Sequence, residues 1–315
     1  MSRSAQGYLF ALVSAVFLST TSIFIRHLVV HFAMPPLVIA CWRNIFVVMT
    51  LVPVLFIVNR RLLAAGWSHI PFLVLFGLVL AGFNALWTLS VAHNGAAVAT
   101  VMVYCSVAYT AILGWRFLGE SLNVFKAGAI VLCLAGCALI SGALDPAAWR
   151  TNLLGVLAGL GTGLCYTSYS LMGRMTSKRG LSPWTTLLYI FAFAALFLFL
   201  CNLTGGRVPG SAESAAGMFW LGTHLDGWMV LVVLGAIPTV AGFGFYNVSL
   251  SLLDASIANI IVSLEPAFTA VFAFIILGET LSPEQLAGSA LLLSGVVAIR
   301  LGALRRSPVP VLQEA

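Results

Sequence analysis

The length of its apolar runs constrains this chain more than any other feature. Ten stretches read as lipid-soluble, near 7–29, 36–58, 70–92, 95–117, 123–143, 153–173, 184–204, 228–252, 255–277 and 283–302. About 20 apolar residues are what a helix needs to cross a hydrocarbon core of roughly 30 Å. A helix also satisfies its own backbone hydrogen bonds, which lipid cannot do. Polar breaks such as "NRRLLAAGWSH", "LDPAAWRTN" and "MTSKRGLSP" separate the runs, and "GGRVPGSAESAAG" marks a flexible loop near 205–226. The polar, proline-rich end, 304–315, reads as a disordered cytoplasmic tail. The fold class expected is all-α integral membrane, with ten transmembrane helices.

Charge placement tests the count. Only 8% of the 315 residues are charged and the net charge is +6. With the N-terminus in the cytoplasm, 11 basic residues fall on cytoplasmic segments. Three, Arg26, Arg150 and Arg207, fall outside, and Arg43 lies within a span. Such a bias supports an even number of spans with both termini cytoplasmic. The basic residues form no stripe, so nucleic acid is not an expected partner. The six cysteines all fall in apolar runs and read as packing residues, with no metal site and no cofactor expected.

The chain repeats itself. "FLGESLNVFKAGAIVLCLAGCALI" (117–140) resembles "ILGETLSPEQLAGSALLLSGVVAI" (276–299), so Gly119-Glu120 falls on Gly278-Glu279 at an offset of 159. An offset of 148 relates the front ends, Arg26 to Arg174 and Pro35 to Pro183. The expected units are 1–148 and 149–303, each with five spans. An odd number of spans inverts the second unit in the membrane, the architecture of many carriers that work by alternating access.

The paired "LGE" motifs resemble the drug/metabolite transporter superfamily, in its ten-span EamA-type branch. So do "LSTTSIFIRH" (18–27), "PPLVIACWR" (35–43) and "SLEPAFTAVF" (263–272). The resemblance covers almost the whole chain. It implies a bacterial inner-membrane carrier, and YddG-like exporters of aromatic amino acids and metabolites belong to this branch. The second half departs from the first in one place: Glu265-Pro266 stands where the first has Ser106-Val107.

Ionisable groups inside spans are functional candidates. Glu265 either binds a substrate ammonium or carries a coupling proton, or it holds a kink. Pro266 has no N–H, so the carbonyl of Val262 loses its helical donor. Arg43 either meets a substrate carboxylate or an acid, or snorkels to the surface. Asn84 and Trp87, Thr100 and Tyr104, Tyr169, Tyr246, Asn259 and Ser263 lie on span faces as candidate cavity lining, or as helix glue. The repeat superposes Trp87 on Tyr246 and Thr100 on Asn259. Glycines 155, 159 and 163 form a close-contact face, and Pro238 and Pro266 are candidate hinges.

The chain has no phosphate-binding loop and none of the HExxH or GxSxG motifs, so an enzyme is not expected. The reading is a secondary carrier exporting small metabolites, foremost aromatic or hydrophobic amino acids. Another small solute, such as a drug or sugar derivative, is the alternative, and a membrane enzyme or receptor a remote one. The partners expected are a small-molecule substrate and the lipid bilayer, and a monomer suffices.

Overall fold

A computed structural model describes residues 3–106, 146–252 and 261–304, with scattered positions between 108 and 139. Among these residues the chain is helical and contains no strand. The helices are α1 (Arg3–Phe32), α2 (Pro36–Val58), α3 (Ile70–Asn94), α4 (Ala96–Val103) and α5 (Pro146–Lys178). They continue with α6 (Pro183–Asn202), α7 (Leu225–Leu234), α8 (Val240–Leu252), α9 (Glu265–Phe272) and α10 (Pro283–Leu304). Residues 5–32, 36–58, 67–94, 183–202 and 225–249 form five helices long and apolar enough to cross a membrane. Most of the expected fifth span, Asn259 and the tail lie outside the described residues.

Burial differs from that of a water-soluble protein. Ile57, Val58, Phe274 and Ile275 are exposed, as lipid-facing groups are, while Ser14, Asn44, Asn84 and Thr88 are buried. Between helices in lipid, small residues and interhelical hydrogen bonds replace the hydrophobic drive. Antiparallel α1 and α8 show both devices. The Ser14 hydroxyl donates to the Gly242 carbonyl at 2.8 Å, and Ser249 donates to the Gly7 carbonyl at 3.1 Å. The three-glycine face of α5 packs as expected. The Gly155 carbonyl accepts from the Asn94 amide at 2.9 Å. A methyl at Gly159 would stand 2.8 Å from Met102.

Three expectations change. The sixth span is longer than its apolar core, running from Pro146 to Lys178. The loop near 205–226 is not a loose linker. The Asn202 side chain donates to the Leu37 carbonyl at 3.1 Å and accepts the Ala212 N–H at 2.9 Å. The Trp42 and Trp220 indoles donate to the Met218 and Phe32 carbonyls, at 2.6 and 2.8 Å. Met218 and Leu221 are buried under it. Pro238, a candidate hinge, lies in a π-helical turn, Gly235–Thr239, between α7 and α8. Such a turn absorbs the missing donor by widening the helix locally.

The third change is the most informative. The fourth span stops being α-helical at Tyr104-Cys105, and the ninth at Ser263-Leu264. The repeat offset of 159 maps one pair onto the other. The break geometry matches too: the Cys105 N–H reaches back to the Met102 carbonyl at 3.2 Å, and the Leu264 N–H to the Ile261 carbonyl at 3.0 Å. Each is a tightened i→i−3 bond. The first half carries valine where the second has Pro266, so the proline does not cause the break. It decides only which backbone group is left without a donor.

Candidate functional site

Two polar groups are buried in the helical core. The first starts from Arg43 on α2, which is 1% exposed. It does not snorkel. A guanidinium has only donors, so Asn84 on α3 must turn its side-chain oxygen toward it, and the Arg43 Nη2 donates there. That orientation sends the Asn84 amide to the Asn44 oxygen, 3.0 Å away. Asn44 in turn donates to the Ala40 carbonyl at 2.6 Å. The guanidinium carbon lies 5.2 Å from the centre of the Trp87 ring, a cation–π contact. Its Nε has no hydrogen-bond partner among the described residues. Among the described residues, the only carboxylate–cation pair is Arg26–Glu279, and no acid pairs with Arg43. A buried charge without a counter-ion is costly, and the Nε donor is left unused.

Aromatic rings extend this group. Trp87 stacks on Phe83 at 6.2 Å, Phe83 meets Tyr166 at 5.9 Å, and Tyr166 stacks on Tyr169 at 6.5 Å. Tyr169 meets Phe243 edge-on at 5.9 Å and shares a side-chain hydrogen bond with Asn247. Tyr246 is 2% exposed and adjoins Tyr169. Trp87, Tyr169 and Tyr246 therefore belong to one continuous core.

The second group joins the two broken spans. The Tyr104 hydroxyl at the fourth-span break donates to the Val262 carbonyl at 2.8 Å. This is the carbonyl that Pro266 leaves without a helical donor. The same hydroxyl lies 3.1 Å from Glu265 Oε2. Glu265 is half-buried and occupies the first turn of α9, where a helix N-terminus favours a carboxylate. Ser263 is buried beside it. One phenolic proton serves two acceptors. If Glu265 is ionised they compete for it; if Glu265 is protonated, its own O–H can donate to the tyrosine oxygen and both bonds form.

Not every candidate joins these groups. Thr100 is buried, but its hydroxyl donates to the Ala96 carbonyl one turn back, at 2.8 Å. Sequence reasoning passed over Asn44, Phe83 and Phe243. Asn44 follows Arg43 directly, and a second polar residue inside that span was the available signal. The two rings carry none, because phenylalanine is ordinary in any span.

A third constellation lies at the ends of α1, α3 and α4. Arg26 Nε donates to Glu279 Oε1 at 2.8 Å, and its Nη1 donates to the Ala92 carbonyl at 2.7 Å. Glu279 Oε2 accepts the Ala96 N–H at 3.0 Å. Both charged residues had been read from sequence, one as a topogenic charge and one as part of a motif; their pairing was not.

Comparison with known proteins agrees with this architecture. The sequence model of the EamA-like transporter family matches residues 5–142 and 153–301. An uncharacterised transporter of Bacillus subtilis, YwfM, is 27% identical over 77% of either chain. The threonine/homoserine exporter RhtA of Salmonella typhimurium is 26% identical over 82% of this chain and 80% of its own. A probable terminal-alkyne amino-acid exporter of Streptantibioticus cattleyicolor is 25% identical over 76% and 77%. A solved crystal structure, 18% identical, covers 98% of this chain and 100% of its own with a TM-score of 0.62, which supports the shared fold.

Proposed function

Because the chain belongs to the EamA-like transporter family, we propose that it is a secondary carrier exporting amino acids with aromatic or other apolar side chains. It is a multi-pass membrane transporter. In this reading it crosses a bacterial inner membrane ten times, as two inverted five-span units, 1–148 and 149–303. Both termini are cytoplasmic, in keeping with 11 basic residues on one side against three on the other. Phe32, Asn94 and Gly278 then lie at the external end.

The observation that carries the substrate class is Arg43, buried and, among the described residues, with no partner for its Nε and no acid beside it. A substrate carboxylate supplies the missing anion. The aromatic series from Trp87 to Phe243 accepts an apolar side chain. Glu265, at the break of the ninth span, is the counterpart for an ammonium. One buried cation does not suit a phosphorylated sugar, which calls for several. The relatives named as amino-acid exporters support amino acids in general, not a particular side chain.

The test is counterflow in proteoliposomes, with a panel of amino acids set against their decarboxylated amines and a sugar phosphate. Wild type should exchange amino acids and reject the amines. Arg43→Gln should lose that discrimination, since a site built for a polar group rejects analogues lacking it only while its own donor is present. Exchange of the sugar phosphate but not of amino acids would overturn the reading.

A further inference from the structure

We propose that Arg26 and Glu279 are the latch of the external gate, an ion pair that holds the outer ends of the two units together and must part for release. This rests on the alternating-access reading above, but not on which solute is carried.

Three contacts meet at one point. Arg26 on α1 holds Glu279 and, with a second nitrogen, the Ala92 carbonyl at the end of α3. Glu279 holds Arg26 with one oxygen and the first N–H of α4 with the other. The ends of three helices of the first unit are thus tied to one carboxylate of the second. Two glycines make the approach possible. Gly278 has φ +66°, which turns the chain out of the π-helical turn Ala273–Leu277 and delivers Glu279. Gly95 has φ +83°, and a methyl there would stand 3.1 Å from both carboxylate oxygens. The "LGE" motif of the second unit therefore has a physical reading: leucine ends the span, glycine turns it, glutamate closes the contact.

Beneath the pair lies an apolar plug. Ile23, Ala96, Ala97 and Ala273 form their own buried cluster, drawn from α1, α4 and the end of the ninth span. These are the segments that the pair ties. Small side chains let them close tightly without interlocking. The pair itself is 27% and 21% exposed, so water can replace each partner as the gate opens. The sequence repeat carries the same residue types once more, as Arg174 and Glu120.

The reporter is Ile23→Cys, just below the latch, modified from outside right-side-out vesicles by a membrane-impermeant methanethiosulfonate. Labelling of the native cysteines, measured without Ile23→Cys, is subtracted. Glu279→Gln and Arg26→Gln should each raise the rate about fivefold, the scale of one partly exposed ion pair. The double variant should label no faster than the faster single, because either change already breaks the pair. A charge swap is not a clean rescue: a glutamate at 26 would face the Ala92 carbonyl. Unchanged rates, or multiplying effects in the double variant, overturn the latch. So does a parallel rise at Thr185→Cys, buried at the opposite end, since that reports general loosening. No substrate enters the assay, so a failed substrate assignment leaves this result standing, and the converse.

Discussion

Tyr104→Phe isolates the bond that joins the two broken spans. The ring stays and one hydroxyl goes. The Val262 carbonyl then has neither a helical donor nor its 2.8 Å partner, and Glu265 loses its 3.1 Å neighbour. A buried carbonyl left unsatisfied costs about 1–3 kcal/mol. Hydrogen bonds between helices in lipid average nearer 0.6 kcal/mol, because the separated helices find other partners. Val262 has fewer alternatives than most, since Pro266 cannot donate, so about 1–2 kcal/mol is expected. The decisive comparison adds Pro266→Ala. The backbone between them stays in the helical region, Leu264 having φ −78° and ψ −14°. An N–H at 266 therefore points back toward Val262. In that background Tyr104→Phe should cost about 1 kcal/mol less, a coupling within the usual range for groups sharing a partner. The apparent unfolding midpoint of the detergent-purified protein, followed by tryptophan fluorescence at one heating rate, ranks the four chains. Strict additivity would refute the reasoning, because it would mean that tyrosine and proline do not share the carbonyl.

Two further outcomes follow from contacts away from that bond. Gly235→Ala places a methyl 2.6 Å from Phe46 Cβ and 3.1 Å from the Arg43 carbonyl. Prying α2 from α7 should cost about 1–3 kcal/mol and lower counterflow by displacing Arg43. Asn202→Ala removes the anchor of the loop near 205–226. Limited proteolysis there should accelerate about fivefold or more, the yield of one lost buried hydrogen bond of about 1 kcal/mol, while the helices stay resistant.

What the sequence made legible follows from what lipid demands. A span must be long, apolar and internally bonded, so the helices at 36–58 and 183–202 stood out from composition alone. What occupies the space between helices obeys a weaker rule. Thr100 shares a helical face with Tyr104, and the face was visible; that its hydroxyl bonds the Ala96 carbonyl was not. The loop near 205–226 has the glycine, proline and serine content of a flexible linker. Its order comes from Asn202, one side chain bonding backbone on both sides, which composition does not register. Proline marked the break at Ser263-Leu264, but no residue marks its counterpart at Tyr104-Cys105. There the packing of α5 takes part: Thr167 donates to the Ser106 carbonyl at 3.0 Å.

That pair of breaks explains why a near-symmetric chain carries asymmetric chemistry. Under the repeat offset, Tyr104 corresponds to Ser263, Ser106 to Glu265 and Val103 to Val262. A contact mirroring Tyr104 to Val262 would need Ser263 to reach Val103. A serine hydroxyl sits one bond beyond Cβ, whereas a phenol reaches across a helix. The long donor therefore lies on one side, and the freed carbonyl and the carboxylate on the other. The substitution of Glu265-Pro266 for Ser106-Val107 creates both acceptors that Tyr104 meets. A chain with proline in both halves would free two carbonyls and hold one tyrosine. A chain with it in neither would leave Tyr104 competing with an intact helical bond. The single Glu-Pro pair is the arrangement in which every group at the crossing has a partner once the carboxyl carries a proton, and in which losing that proton sets Glu265 and Val262 in competition for one hydroxyl.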